Sequence, residues 1–271
     1  MKIAVFYENI YGGAKAAGKD MAETLQLLKD AGMELIYLSA DSLRRDKNWL
    51  MPLLAKLGLG IEGVHAFCDF AGDPETPLCE ETIHLAKECG AGNLLFVPGM
   101  LTGKNTLKDF SNIALGIRRA VQLGQSMGIP VLMEDYDGLT APYNSILSLK
   151  WFLDNTDGLG CAFDTGNFII FHEDELEALD LFRDRIVTLH MKDRAIDRRH
   201  PGDHACACAD GKQLYSCATG SGFIRTAEIL KRLKTTGYTG NVVAELYGCD
   251  LAFMLEDIFS SVAFLKRQIE S

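Results

Sequence analysis

Four apolar runs in the second half of the chain each end in a side chain able to hold a metal ion or move a proton. Val131-Leu132-Met133 is followed by Glu134 and Asp135, and Cys161-Ala162-Phe163 by Asp164. Thr188-Leu189 leads into His190-Met191-Lys192-Asp193, and Val242-Val243-Ala244 into Glu245. Taken singly, an acid in such a place is more often a turn former or helix cap, and a lone histidine a packed structural residue. Four in succession at matching depth point elsewhere. Side chains alternate across an extended strand, so Val187, Leu189 and Met191 share an outer face while Thr188, His190 and Lys192 share the inner one. By the same alternation Ala162 and Asp164 point inwards, and Glu245 points inwards where Val242 and Ala244 point out. Buried carboxylates are costly unless paired or coordinated. Glu134, Asp164 and Glu245 on one axis therefore call for a cation, and His190 adds an imidazole. This donor set suits one divalent metal ion, with Mn²⁺, Mg²⁺ or Co²⁺ favoured and Zn²⁺ admissible.

The elements that must carry these residues are short apolar strands alternating with amphipathic helices. Strands are expected at Ile3–Tyr7, Met33–Leu38, Ile61–Phe67, Asn93–Val97, Pro130–Glu134, Cys161–Asp164, Ile186–Met191 and Asn241–Leu246. Between them, apolar residues recur at spacings of three and four, as in Phe110, Ile113, Ile117 and Val121. Gly32, Gly90, Gly128 and Gly237 read as helix stops before the next strand. Strands separated by helices imply parallel pairing. Eight such units without a break in composition predict an α/β fold, a (β/α)8 TIM barrel forming a single domain over residues 1–271. A doubly wound open sheet is the alternative on pattern alone. In a barrel the chemistry sits where strands end, which is where the four candidates fall. One connection, about 194–222, is outsized and is the natural candidate for a lid.

Composition narrows the partners. The chain has 271 residues, 48% hydrophobic and 24% charged, with a formal charge of −10. A phosphodiester polymer is repelled by that average field, so no nucleic acid partner is expected. No apolar run is long enough to span a membrane, and the N-terminal stretch lacks the apolar core of a secretory signal. The eight cysteines are mostly scattered, as reduced buried thiols are, so a cytoplasmic enzyme is expected. A homo-oligomer is left open.

Over these residues the chain resembles the xylose isomerase-like TIM barrel superfamily of sugar phosphate isomerases and epimerases. VLMED (131–135), CAFDTGN (161–167), TLHMKDR (188–194), ATGSGFI (218–224) and GYTGNVVAEL (237–246) carry the resemblance. It implies a divalent metal on Glu134, Asp164, His190 and Glu245, the set already reached from strand parity. It also implies that Glu134 and Glu245 are the catalytic acid and base. Metal on the carbonyl and adjacent hydroxyl oxygens would stabilise an enediolate. One carboxylate takes the proton and the other returns it on the opposite face. A small-molecule sugar or polyol is the expected substrate. Two positions depart from the ketose 3-epimerases within the family. Asn167 stands where they carry a substrate-binding His, and Ile196 where they carry an Arg. Asn167 can still bond a hydroxyl, and Arg194 or Arg198 could replace the missing cation.

Among further candidates, Lys192 either contacts a substrate oxygen or pairs with neighbouring acids, and His65 either lines the pocket or simply packs. The loop at 99–105 lacks a phosphate-cradling pattern. His200, His204, Cys206, Cys208 and Cys217 are close in sequence, but their irregular spacing fits incidental thiols better than a structural zinc. Isomerase or epimerase chemistry is the leading expectation. A lyase acting on a keto-polyol or a C-glycoside through the same site is the alternative. An abasic-site endonuclease, which resembles this barrel but needs three zinc ions and more histidines, and a non-catalytic sugar-binding barrel rank below.

Overall fold

Each expected apolar run becomes a strand, and the eight strands close on themselves. The computed structural model describes residues 1–271. Its barrel strands are β1 (Ile3–Phe6), β2 (Leu35–Ser39), β3 (Gly60–Phe67), β4 (Leu94–Val97), β5 (Val131–Met133), β6 (Gly160–Asp164), β7 (Ile186–Ala195) and β10 (Asn241–Glu245). All neighbouring barrel pairs are parallel, and β10 pairs with both β7 and β1. The seam is Ile3↔Val242, Ala4↔Val243 and Val5↔Ala244. The helices are α1 (Tyr7–Ala16), α2 (Met21–Ala31), α3 (Ala40–Leu57), α4 (Pro77–Glu88), α5 (Thr106–Met127), α6 (Ile146–Asp154), α7 (Glu175–Phe182), α8 (Thr226–Thr235) and α9 (Met254–Glu270). No helix is long and apolar enough to cross a membrane.

Strand alternation sorts the apolar side chains into two cores. Ala4, Phe6, Tyr37, Leu95, Leu132, Ala162 and Val243 form the small inner cluster that plugs the barrel. The opposite faces, with residues such as Val5, Ile36, Leu189, Met191, Val242 and Ala244, join the helices in a far larger cluster. Most of the hydrophobic stabilisation therefore lies between barrel and helices, which leaves the mouth free to be polar. Val187 departs from its expected outer position and packs with the inner cluster. The register slips here, with Ile186 opposite Cys161 but Thr188 opposite Ala162. Val187 is thus the extra residue of a bulge, and a bulge resets which face a side chain takes.

The outsized connection is partly sheet. β7 runs on to Ala195 and pairs antiparallel with β9 (Gln213–Cys217), which pairs in turn with β8 (Ala205–Ala207). The hairpin is tied to the barrel at both ends. Asp203, 3% exposed, accepts from the amides of Arg199, His200 and Asp250 at 2.7–2.9 Å. Asp193 accepts from the amides of Gly220, Gly222, Ile224 and its neighbour Arg194. A Cβ on Gly222 would lie 2.2 Å from the Arg194 carbonyl oxygen, so only glycine lets the return leg come this close. The segment expected to be a lid is held to the barrel at both ends by these bonds. Cys208 packs with Ile170 and Leu214, Cys206 packs against the same cluster, and Cys206 Sγ lies 3.9 Å from Asp137. His200 stacks on Phe253 and faces Asp257.

Candidate metal centre and active site

Glu134 follows β5 directly, Asp164 and Glu245 are the last residues of β6 and β10, and His190 lies within β7. Parallel strands of matching register bring these ends to one height, and the four side chains converge at the C-terminal mouth. One ligand atom from each of Glu134, Asp164 and His190 lies within 4.8 Å of the others. His190 Nδ1 is 3.0 Å from Glu134 Oε2 and 3.4 Å from Glu245 Oε2. All four residues are at most 9% exposed.

The charges explain one another. Burial and the nearby Glu245 push the Asp164 carboxyl up to about 6, although Lys192 pulls against them. Burial alone would lower the His190 pKa, but the Glu134 hydrogen bond and the surrounding carboxylates outweigh it and raise it. Lys192 is likewise opposed by burial and held charged by Asp164 and Glu245. Its Nζ lies 2.7 Å from Glu245 Oε1 and 3.2 Å from Asp164 Oδ2. Asp164 Oδ2 and His190 Nε2 make no hydrogen bond; the Lys192 contact is an ion pair too misaligned to count as one. Three buried carboxylates around one imidazole, with an unsatisfied oxygen among them, fit a divalent cation better than they fit a packed core. Glu134, Asp164 and His190 would hold it, with Glu245 close enough to join.

A pocket of about 310 Å³ opens over this centre, walled by His65, Phe67, Tyr136, Asp137, Lys192 and Tyr247 among others. His65 and Lys192 stand on its wall. Asn167 and Arg194 do not. Asn167 Nδ2 donates to the Asp135 carbonyl, and its Oδ1 accepts from Lys192 Nζ at 3.0 Å and Arg194 Nη2 at 3.3 Å. Arg194 also donates to the Gly166 carbonyl, Ser216 Oγ and Asp137 Oδ2. Both residues brace Lys192 and Asp137 from behind, where the sequence suggested substrate contact.

Other parts of the site escaped the sequence reading. Asp137 lies between Arg194 and Lys192; burial would raise its pKa, but the two cations outweigh it. Tyr247 hydroxyl donates to Glu8 Oε2 at 3.1 Å, and Glu8 Oε1 accepts from the Ser39 amide. Alternation offered a signal for Tyr247, two residues past Glu245; Asp137 and Glu8 lie beyond strand ends, where no periodicity places them. Asp135 is buried with neither oxygen hydrogen-bonded, and burial with the nearby Asp164 and Glu134 pushes its carboxyl well above the usual range.

A closed parallel barrel with buried acids and an imidazole at its C-terminal mouth defines a TIM barrel with a candidate metal site. The chain belongs to the xylose isomerase-like TIM barrel family, whose sequence profile matches residues 13–268. An inosose dehydratase from Lacticaseibacillus casei is 24% identical over 140 residues. That match covers 51% of this chain and 47% of the relative, so the chain spans about half the length of the curated protein it matches. Among solved structures, the probable 3-DHS dehydratase AsbF of Bacillus anthracis superposes with a TM-score of 0.73 at 16% identity, covering 98% of this chain and 99% of that one. An L-ribulose 3-epimerase superposes with a TM-score of 0.70 at 18% identity, covering 100% of this chain and 95% of that one. At such identities the likeness speaks for the fold.

Proposed function

We propose that this protein is a divalent-metal-dependent sugar isomerase or epimerase that removes a proton from the carbon next to a carbonyl. The observation carrying the reading is the pair Glu134 and Glu245, brought from the ends of β5 and β10 to 3.0 Å and 3.4 Å from the same atom, His190 Nδ1. A cation bound here supplies Lewis acidity that offsets the negative charge left on the substrate oxygens. One glutamate accepts the α-proton, and the other, on the far side of the carbon, delivers one back. Lys192 holds Glu245 in place and presents its ammonium to the same pocket. Phe6, Leu95 and Val97 on the wall keep the reacting carbon away from bulk water.

A second reading has its own observation. Lys192 lines the pocket beside Glu245 and can hydrogen-bond a hydroxyl of the substrate; with that hydroxyl as the leaving group, the same α-proton removal ends in loss of water. The similarity to a dehydratase supports this reading. Both are tested by incubating the Mn²⁺-loaded protein with a panel of ketoses and keto-polyols in D₂O, followed by NMR and mass spectrometry. Deuterium at the α-carbon with unchanged composition supports epimerisation or isomerisation. Loss of one water with a new conjugated carbonyl supports dehydration. Turnover with no deuterium incorporated and no water lost rejects both.

A further inference from the structure

The active-site pocket has a neighbour. A second chamber of about 250 Å³ adjoins it along His65 and Phe67, which line both. It lies between the end of β2, the first turns of α3 and the side of α4, and its wall includes Ser39, Asp41, Arg44 and Thr82. None of the candidate metal or acid–base residues borders it. Arg44 Nη2 donates to Thr82 Oγ1 at 2.8 Å, and Nη1 donates to Asp41 Oδ1 at 3.0 Å.

Charge decides what this chamber can hold. Asp41 already balances the Arg44 guanidinium, and an incoming phosphate or carboxylate would meet the Asp41 carboxylate as well as the cation. Neutral hydroxyls fit better, finding donors on Arg44 and acceptors on Asp41 and Thr82. Phe67 stands at the divide and is 61% exposed, more than any other aromatic side chain in the chain. A single exposed ring is unremarkable on a protein surface. At the boundary between two chambers lined with polar groups, it offers a flat face to the C–H side of a sugar ring. The pocket above the acids sits near the lower end of the roughly 300–1,000 Å³ usual for small-molecule sites, so one ring fills it and a second unit needs further room.

We propose that the second chamber is a subsite for a neutral polyhydroxylated unit, so that the substrate is a two-unit sugar. Its reacting ketose portion lies over Glu134 and Glu245, and its appended unit reaches Arg44 and Thr82 across Phe67. The assignment of the reacting half rests on the function proposed above; the subsite itself rests on the cavity and its lining.

The test is calorimetric titration of the Mn²⁺-loaded protein with D-fructose and with isomaltulose, a ketose bearing a glucosyl unit. Wild type is expected to bind the disaccharide about tenfold tighter or more. Arg44→Ala and Phe67→Ala are each expected to cut that preference to about twofold or less. Thermal melts report folding, and the exposed Phe67 carries the test if Arg44→Ala is misfolded. Equal affinity for the two sugars, no measurable binding of either, or a preference that survives both variants overturns the proposal. Deuterium exchange in the same samples separates the two claims. Disaccharide preference without α-deuteration removes the catalytic reading and keeps the subsite, whereas α-deuteration without preference does the reverse.

Discussion

Lys192 is the residue at which the two readings of the reaction part. If its ammonium protonates a leaving hydroxyl, Lys192→Gln should lower the turnover number for water loss about 10²–10⁴-fold. If it only steadies Glu245, α-deuteration should survive within about tenfold, and steady-state kinetics with NMR detection tells the cases apart. Glu134→Gln and Glu245→Gln should each abolish conversion of substrate to product, followed by NMR, while leaving the fold intact by circular dichroism. Asp164 carries the pH dependence. In metal-free protein its folded pKa is raised to about 6 from 3.8. Its contribution to stability is therefore full below 3.8 and is lost as pH rises through about 6. Metal binding needs Asp164 ionised and His190 neutral, so Mn²⁺ affinity should climb by more than tenfold per pH unit below about 6 and go on rising above it until His190 has also lost its proton. Titrations at pH 5, 6 and 7 check this, and a flat profile would falsify the ligand role. Strand parity exposed Glu134, Asp164, His190 and Glu245 in the sequence because alternation is local. It could not show that Asn167 and Arg194 stand behind Lys192, since that depends on which side chain reaches the cavity first.

At the scale of elements, seven of the eight barrel strands were legible within two residues, because short apolar runs bounded by glycine or acids have few other uses, while β7 runs four residues past its expected end. The hairpin β8–β9 was not. Its strands are three and five residues long, too short for a hydrophobic period to mark them, even though β9 is largely buried. Val187 was misplaced for a related reason: a bulge inserts one residue without changing composition. The latching of this hairpin makes its own prediction. Asp203→Ala leaves three backbone amides without their acceptor and should cost about 2–4 kcal/mol in stability. Hydrogen exchange should then rise across residues 196–215 while the barrel strands stay protected. Uniform exchange across the whole chain would show that the segment is not a separate unit.

For the whole molecule, a metal held at the candidate site would couple to the stability of the barrel, because Glu134, Asp164, His190 and Glu245 stand on or just past β5, β6, β7 and β10. Divalent metal at about 100 times its dissociation constant adds about 2.7 kcal/mol. That should raise the melting temperature on the order of 5–10 °C, with chelator reversing the gain and His190→Ala losing it. An unchanged melt on adding Mn²⁺, Mg²⁺ and Co²⁺ would count against a built site. The closing seam has a consequence for biosynthesis. On the edge of β1 away from β2, Ile3, Ala4 and Val5 find their partners at Val242, Val243 and Ala244. Until the last strand leaves the ribosome, β1 and β7 each keep a raw edge, and every nascent chain is for a time an open, stickable sheet. Chaperone dependence should therefore peak late in translation, and ribosome-stalled chains ending before Asn241 should pellet where the completed chain stays dissolved.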